Sequence, residues 1–283
     1  MELVEQLQHL SNHLSHSTSG TEEKLQTPHS SECPKCHGTG YYIEFEGDVQ
    51  YAVECQCGIR KKTILQNQLK FAEIPEMYKE CTFANLRSNV YRLPESKEIF
   101  IQAAKAVKYW IENIGEMQEQ GMGLYICSGV KGSGKTRFAC SMANELIQKY
   151  QKSVKFTTSL RILEEIKSTW SSRDNATESK LIRNLTYADI LIIDDFGADS
   201  GRDWINEKFY GIINGRYVDR KITIFTSNYR ISQLPYDDRI TNRILERSYE
   251  IPFPEESVRE HIADAMKQEL IKKIQGGENG KQA

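Results

Sequence analysis

Residues 124–139 read LYICSGVKGSGKTRFA, and this stretch decides the fold. It contains G-x-x-x-x-G-K-[ST], filled by Gly129, Val130, Lys131, Gly132, Ser133, Gly134, Lys135 and Thr136. An apolar, strand-like run precedes it and a helix-compatible run follows, which is the setting in which such a loop cradles phosphate. Glycines let backbone N–H groups close around phosphate oxygens, and the start of a helix adds its positive dipole end. The pattern assigns Lys135 to the β- and γ-phosphates of a nucleotide and Thr136 to Mg2+. The plain alternative is a glycine-rich strand-to-helix turn. The expectation is a nucleoside triphosphate site.

A phosphate loop of this kind needs a second strand that delivers a carboxylate to the metal. ADILIIDDFG supplies one: the run Ile190–Ile193 reads as a buried strand and ends in Asp194 and Asp195. Asp194 is placed to hold Mg2+, and Asp195 to orient or deprotonate the attacking water. Taken alone, an acidic pair after a core strand also reads as a turn. Next comes ITIFTSN, whose final Asn228 is suited to sensing a γ-phosphate, or else simply ends a strand. No N-K-x-D tetrapeptide follows, which favours ATP over GTP.

The surroundings are those of an α/β protein. Strand candidates at Leu124–Ser128, Val154–Thr158, Ile190–Asp194, Ile222–Ser227 and Tyr249–Phe253 alternate with helical stretches, which implies a parallel sheet. Residues 95–117 read as one amphipathic helix with Phe100, Ala103, Ala104, Val107, Trp110 and Ile111 as its stripe. The 283 residues carry a net charge of −2, so a DNA contact must come from a local patch. No apolar run suggests a membrane span and the acidic start is no signal peptide, so the expected setting is the cytoplasm.

The expected organisation has four parts. Residues 1–30 form a short helix and linker, 31–73 a cysteine module with a linking helix, 74–270 the nucleotide domain and 271–283 a disordered tail. Within the module, Cys33-Pro-Lys-Cys36 and Cys55-Gln-Cys57 bracket a segment that alternates on both sides of Gly47-Asp48, a hairpin signature. Two cysteine knuckles joined by a hairpin form a zinc ribbon, whose thiolates close a tetrahedral Zn2+ site. His37 is an alternative ligand, and four unligated thiols are the plain reading. Cys81, Cys127 and Cys140 sit in apolar contexts and read as core thiols.

In that order and spacing, GVKGSGKT, LIIDDFG and TSN resemble the AAA+ ATPases of the DnaC/DnaI helicase-loader and IstB transposition-helper group. The resemblance spans residues 74–268, and IPEMYKECTFANL looks like the group's entry segment against the adenine. It implies an open five-stranded sheet in which the strands bearing Asp194 and Asn228 flank the P-loop strand, followed by a small helical lid. Asp195 departs from the group, in which many members carry Glu at that position.

By the same resemblance, Arg243 in DDRITNRILER matches an arginine finger that reaches a neighbouring subunit's γ-phosphate. Arg259 in EESVREH matches a lid arginine acting within its own subunit. Each also reads as a surface ion pair. Two segments combine charge with a stacking face: Lys167, Trp170 and Arg173, then Arg202 and Trp204. In the group, similar segments contact single-stranded DNA inside a helical oligomer; partly buried tryptophans beside solvated charge are the plain reading. The resemblance implies an ATP-dependent oligomer that loads a replicative hexameric helicase onto single-stranded DNA. Its rivals are a transposition helper acting on duplex DNA and an ATP-gated adaptor with negligible hydrolysis.

Overall fold

The computed structural model describes residues 33–171, 175–199 and 203–278. The expected N-terminal helix and linker over residues 1–30 lie outside the described residues. The chain divides after Lys62 into two compact units.

In the first unit, strands β1 (Tyr41–Glu46) and β2 (Val49–Glu54) form the expected antiparallel hairpin, with Glu46 opposite Val49. Gly47 takes φ 62° in the two-residue turn, a conformation that costs glycine little. Helix α1 (Ile59–Ala72) begins just after the second cysteine knuckle. Its Arg60 pairs with Glu54 at 2.6 Å and lies over the Tyr41 ring at 4.7 Å.

The second unit is built on five strands: β3 (Gly123–Cys127), β4 (Val154–Thr158), β5 (Ile190–Asp194), β6 (Ile222–Ser227) and β7 (Ser248–Pro252). They form one parallel sheet in the order β4-β5-β6-β3-β7. One expectation is corrected here. The P-loop strand β3 is flanked by β6 and β7, not by β5; the strand carrying Asp194 lies one place further out, beyond β6. Strand order is set by which crossover helices pack on which face, information that no local motif contains.

Helices cover both faces of the sheet. On one face lie α2 (Pro94–Glu112), α3 (Ile114–Gln120) and α4 (Lys135–Tyr150), packed on Leu124, Ile126, Ile190, Ile192, Ile222 and Ile224. On the other lie α5 (Ser159–Ser171), α6 (Asn175–Tyr187), α7 (Asp203–Val218) and α8 (Asp238–Glu246), against Tyr125, Leu191, Ile193 and Phe225. Successive strand residues point to opposite faces, so a continuous apolar run such as ILII feeds both cores. Each fully buried Ile or Phe contributes about 1.5–3 kcal/mol relative to exposure.

Two further expectations change. The single helix over 95–117 is interrupted at Asn113 (φ −104°, ψ 25°), whose side chain donates to the Tyr109 carbonyl at 2.8 Å and caps α2. The break turns Ile114 and Met117 into the core. After β7, helix α9 (Val258–Glu278) follows among the described residues, where a small helical element was expected. It runs past residue 270, where the tail was expected to begin.

Candidate functional site

Because the strands are parallel, their C-terminal ends share one edge of the sheet, and the chemistry-bearing residues collect there. The loop from β3 enters α4 through Gly134 at φ 101°, and α4 begins at Lys135. A Cβ on Gly132, at φ 81°, would come within 3.3 Å of Arg259 and Ser257, so that position also requires glycine. A cavity of about 410 Å3 opens at this edge, lined by Lys131–Arg137 of the loop, Asp195, Asn228 and Arg259. Met77 and Tyr78 of the entry segment, with Val258 and Ile262 of α9, add an apolar wall fit for a flat base.

Lys135 is buried, and that burial holds its ammonium below the usual lysine range. Its Nζ donates to the carbonyls of Ser128 and Val130, both at 3.1 Å, and to Ser133 Oγ at 3.3 Å. The loop is braced from outside. Tyr91 OH donates to the Ser133 carbonyl at 2.7 Å, and Glu255 accepts from the N–H groups of Gly129 (2.9 Å) and Val130 (3.1 Å).

Asp194 is buried at the end of β5. Thr136 Oγ1 donates to its Oδ2 at 2.9 Å, and Thr226 Oγ1 to its Oδ1 at 2.5 Å. Burial pushes its carboxyl up to about 6, against the pull of those two donors. Thr136 and Asp194 therefore already touch, and a hydroxyl paired with a carboxylate beside a phosphate loop suits the hard, oxygen-preferring Mg2+ ion. Asp195 is exposed in the left-handed region at φ 52°, where its N–H is held by Thr226 Oγ1 at 3.0 Å. That hydrogen bond helps aim the acidic side chain at the cavity instead of back into the sheet.

Three contributors escaped the reading of the sequence. Thr226 stands inside the quoted TSN, and a hydroxyl within an apolar strand was a usable signal. Glu255 and Tyr91 gave none, because their contacts depend on folding alone.

Arg243 does not line the cavity. It rests on α7, and among the described residues it has no ion pair; Asp237 pairs with Arg239 instead, at 2.9 Å. The two tryptophan segments meet. Trp170 and Trp204 pack edge to face at 5.1 Å, and Lys167 Nζ lies 5.4 Å over the Trp204 ring. Trp170 stays 56% exposed, enough to offer a stacking surface. Arg173 and Arg202 lie outside the described residues.

In the first unit, the sulfurs of Cys33, Cys36, Cys55 and Cys57 all lie within 4.8 Å of one another, with Cys33–Cys55 and Cys36–Cys57 at 3.5 Å. A tetrahedral Zn2+ site with ~2.3 Å bonds has S–S edges of about 3.8 Å, so the cluster fits the ion. Backbone N–H groups of Cys36 and Lys35 hold the Cys33 thiol down to about 6. Burial and the neighbouring thiols push Cys55 up and Cys57 up to about 12, so a metal would displace protons from those two on binding. His37 is exposed and takes no part in the cluster.

The sequence profile of the IstB-like ATP binding protein family matches residues 45–261. The chain belongs to that family. As an IstB-like protein it is an ATP-binding AAA+ protein, in keeping with its cavity. It is 28% identical over 207 residues to the replicative helicase loader DnaC of Buchnera aphidicola subsp. Baizongia pistaciae, covering 72% of this chain and 76% of that one. It is 25% identical over 221 residues to phage-like element PBSX protein XkdC of Bacillus subtilis, covering 76% and 79%. The IstB-like fold also matches the crystal structure of DnaI with TM-score 0.53 at 20% identity, over 64% of this chain and 94% of that one. Among the described residues, no helix is long and apolar enough to cross a membrane.

Proposed function

We propose that the protein loads a replicative hexameric DNA helicase onto single-stranded DNA in the cytoplasm, using ATP binding and hydrolysis to form and then release an oligomer on the DNA. The observation that carries this reading is the similarity to the DnaC loader over 207 residues. Residues Gly129–Thr136 cradle the phosphates, and Thr136 with Asp194 would hold Mg2+, which when bound neutralises charge on the phosphate oxygens. Asn228 and Asp195 face the loop across the cavity. Asp195 orients a water and accepts its proton as the water oxygen bonds to the γ-phosphorus. The bond to the β–γ bridging oxygen breaks, leaving ADP and phosphate. Arg259 steadies the nucleotide from its own subunit, and Arg243 of a neighbouring subunit meets the developing γ-phosphate charge.

Lys167, Trp170 and Trp204 supply the charge and stacking surface for single-stranded DNA. The zinc hairpin, with Ile43 60% and Phe45 69% exposed, offers an apolar surface for the helicase. The alternative is a transposition helper on duplex DNA, since the matching family is IstB-like. A pull-down of the full chain against a replicative helicase, with a transposase as control, separates the two. Retention of helicase supports the loader; retention of transposase alone overturns it.

A further inference from the structure

The guanidinium of Arg243 is held before any partner arrives. Its Nε donates to Asn214 Oδ1 at 2.9 Å, Nη1 to the Arg239 carbonyl at 2.8 Å, and Nη2 to Tyr210 OH at 3.4 Å. The group lies 5.0 Å from the Tyr210 ring centre and 5.4 Å from that of Tyr217. Arg239 shares the Tyr210 ring at 4.9 Å, and Arg247 the Tyr217 ring at 5.1 Å. Tyrosines two turns apart on α7 thus interleave with arginines one turn apart along and just beyond α8.

Two features of this arrangement bear on chemistry. The acceptor for Nε is a neutral amide, so Arg243 is fixed without being neutralised. The carboxylates nearby are engaged elsewhere: Asp237 by Arg239, and Glu246 by Tyr217 OH at 2.9 and 2.8 Å. Three of the five guanidinium N–H groups are used, and among the described residues one on each Nη remains for a new acceptor. A cation whose orientation is set in advance loses less rotamer freedom when it engages phosphate.

We infer that Asn214 and Tyr210 are positioning residues for Arg243, Asn214 locking the guanidinium through Nε and Tyr210 supporting its face, so that its two remaining donors are presented to a phosphate oxygen of the neighbouring subunit. This rests on the shared-site reading of Arg243 given above. Asn214 and Tyr210 touch no nucleotide themselves; they act only on the subunit next door.

The test uses full-length chains with single-stranded DNA, measuring ATP turnover and, on isolated subunits, ATP affinity. Asn214→Ala and Tyr210→Leu should each lower turnover about tenfold, the scale of one lost charged hydrogen bond or its support, with affinity unchanged. Tyr210→Phe, which keeps the ring, should stay near the unaltered protein. Mixing supplies a readout that a damaged fold cannot mimic. Asn214→Ala subunits should regain turnover with Lys135→Ala subunits, which offer a sound finger, and should not with Arg243→Ala subunits, which offer none. Full turnover by Asn214→Ala where Arg243→Ala is inactive overturns the positioning role. So does failure of Asn214→Ala to recover with Lys135→Ala when Arg243→Ala does recover. If Arg243→Ala itself keeps full turnover, the shared-site reading is what fails.

Discussion

The Thr226 hydroxyl donates to Asp194 Oδ1 at 2.5 Å and accepts from the Asp195 N–H at 3.0 Å, so one β6 side chain fixes both acids of the neighbouring strand. This follows from the sheet order, in which β6 stands between the P-loop strand and the acid-bearing strand. The insertion that separates Asp194 from β3 thereby also supplies its orienting donor.

Thr226→Val, similar in shape but without the hydroxyl, should cost about 1–3 kcal/mol in stability, because it leaves the buried Asp194 carboxylate and an N–H group short of a partner. Turnover should fall while ATP binding through Lys135 persists, and Thr226→Ser should restore both. Thermal unfolding and ATP turnover of the three proteins check this. An unchanged Thr226→Val protein would remove the role given to this contact.

The Asp194 carboxyl, raised by burial from 3.8 to about 6, sets a pH dependence. Its folded value lies above its unfolded one, so the folded chain holds this proton more tightly. Ionisation then costs stability as pH rises through that window. Mg2+ needs the carboxylate, so its binding must displace the proton below about pH 6, and affinity should fall toward tenfold per pH unit there. The rise in unfolding midpoint caused by Mg2+ with ADP should therefore be smaller at about pH 5.5 than at about pH 7.5. Asp194→Asn should abolish the pH dependence and the part of the rise that Mg2+ adds, leaving the part that the nucleotide supplies through the phosphate loop.

Arg216 is 1% exposed and, among the described residues, has no carboxylate within ion-pair distance. It donates to the carbonyls of Leu185 (2.7 Å), Thr186 (3.0 Å), Ala188 (2.8 Å) and Ile222, and to Thr223 Oγ1 at 3.0 Å. Burial lowers its guanidinium to about 9, still charged at neutral pH. It closes the end of α6 onto β6, satisfying carbonyls that the helix terminus leaves open. Arg216→Met should lower unfolding free energy by about 3 kcal/mol or more, since several buried acceptors lose their donor together. Denaturant titration checks this, and a loss below the level of a surface substitution contradicts it.

For the four-cysteine cluster the expected outcome is one zinc per chain, bound by the four thiols. Chelation, or Cys57→Ser, should unfold the hairpin without moving the unfolding transition of the nucleotide domain, because the two units have separate interiors. Metal analysis with calorimetry checks this. A chain purified without chelator that carries no zinc counts against the site.

Much of this was legible in the residues. β4, β5 and β6 match their sequence boundaries because their β-branched and aromatic residues give way to charged, polar or turn residues beyond the ends, while β3 and β7 each shift by one. Gly129–Thr136, Asp195, Asn228 and Arg259 meet at one sheet edge, with Asp194 bonded to Thr136, because parallel strands bring their C-terminal ends together. The break at Asn113 was hidden, since apolar periodicity continues across it. Strand order was hidden too, as was the meeting of Trp170 with Trp204, which comes from α5 and α7 sharing one face of the sheet. Whether Arg243 was an ion pair or a free cation depended on Asp237, which could have served either arginine and pairs with Arg239.

The loading reading faces its most direct test on a closed circle of single-stranded DNA, which a ring-shaped helicase cannot thread from an end. A replicative helicase is mixed with the circle, ATP and this protein, and the helicase retained on the DNA is measured after a salt wash. Retention should require the protein and ATP, should be lost with Lys135→Ala, and should fall when Trp170 and Trp204 are both replaced by Ala. Helicase retention that is the same without the protein, or unchanged with Lys135→Ala, contradicts the account.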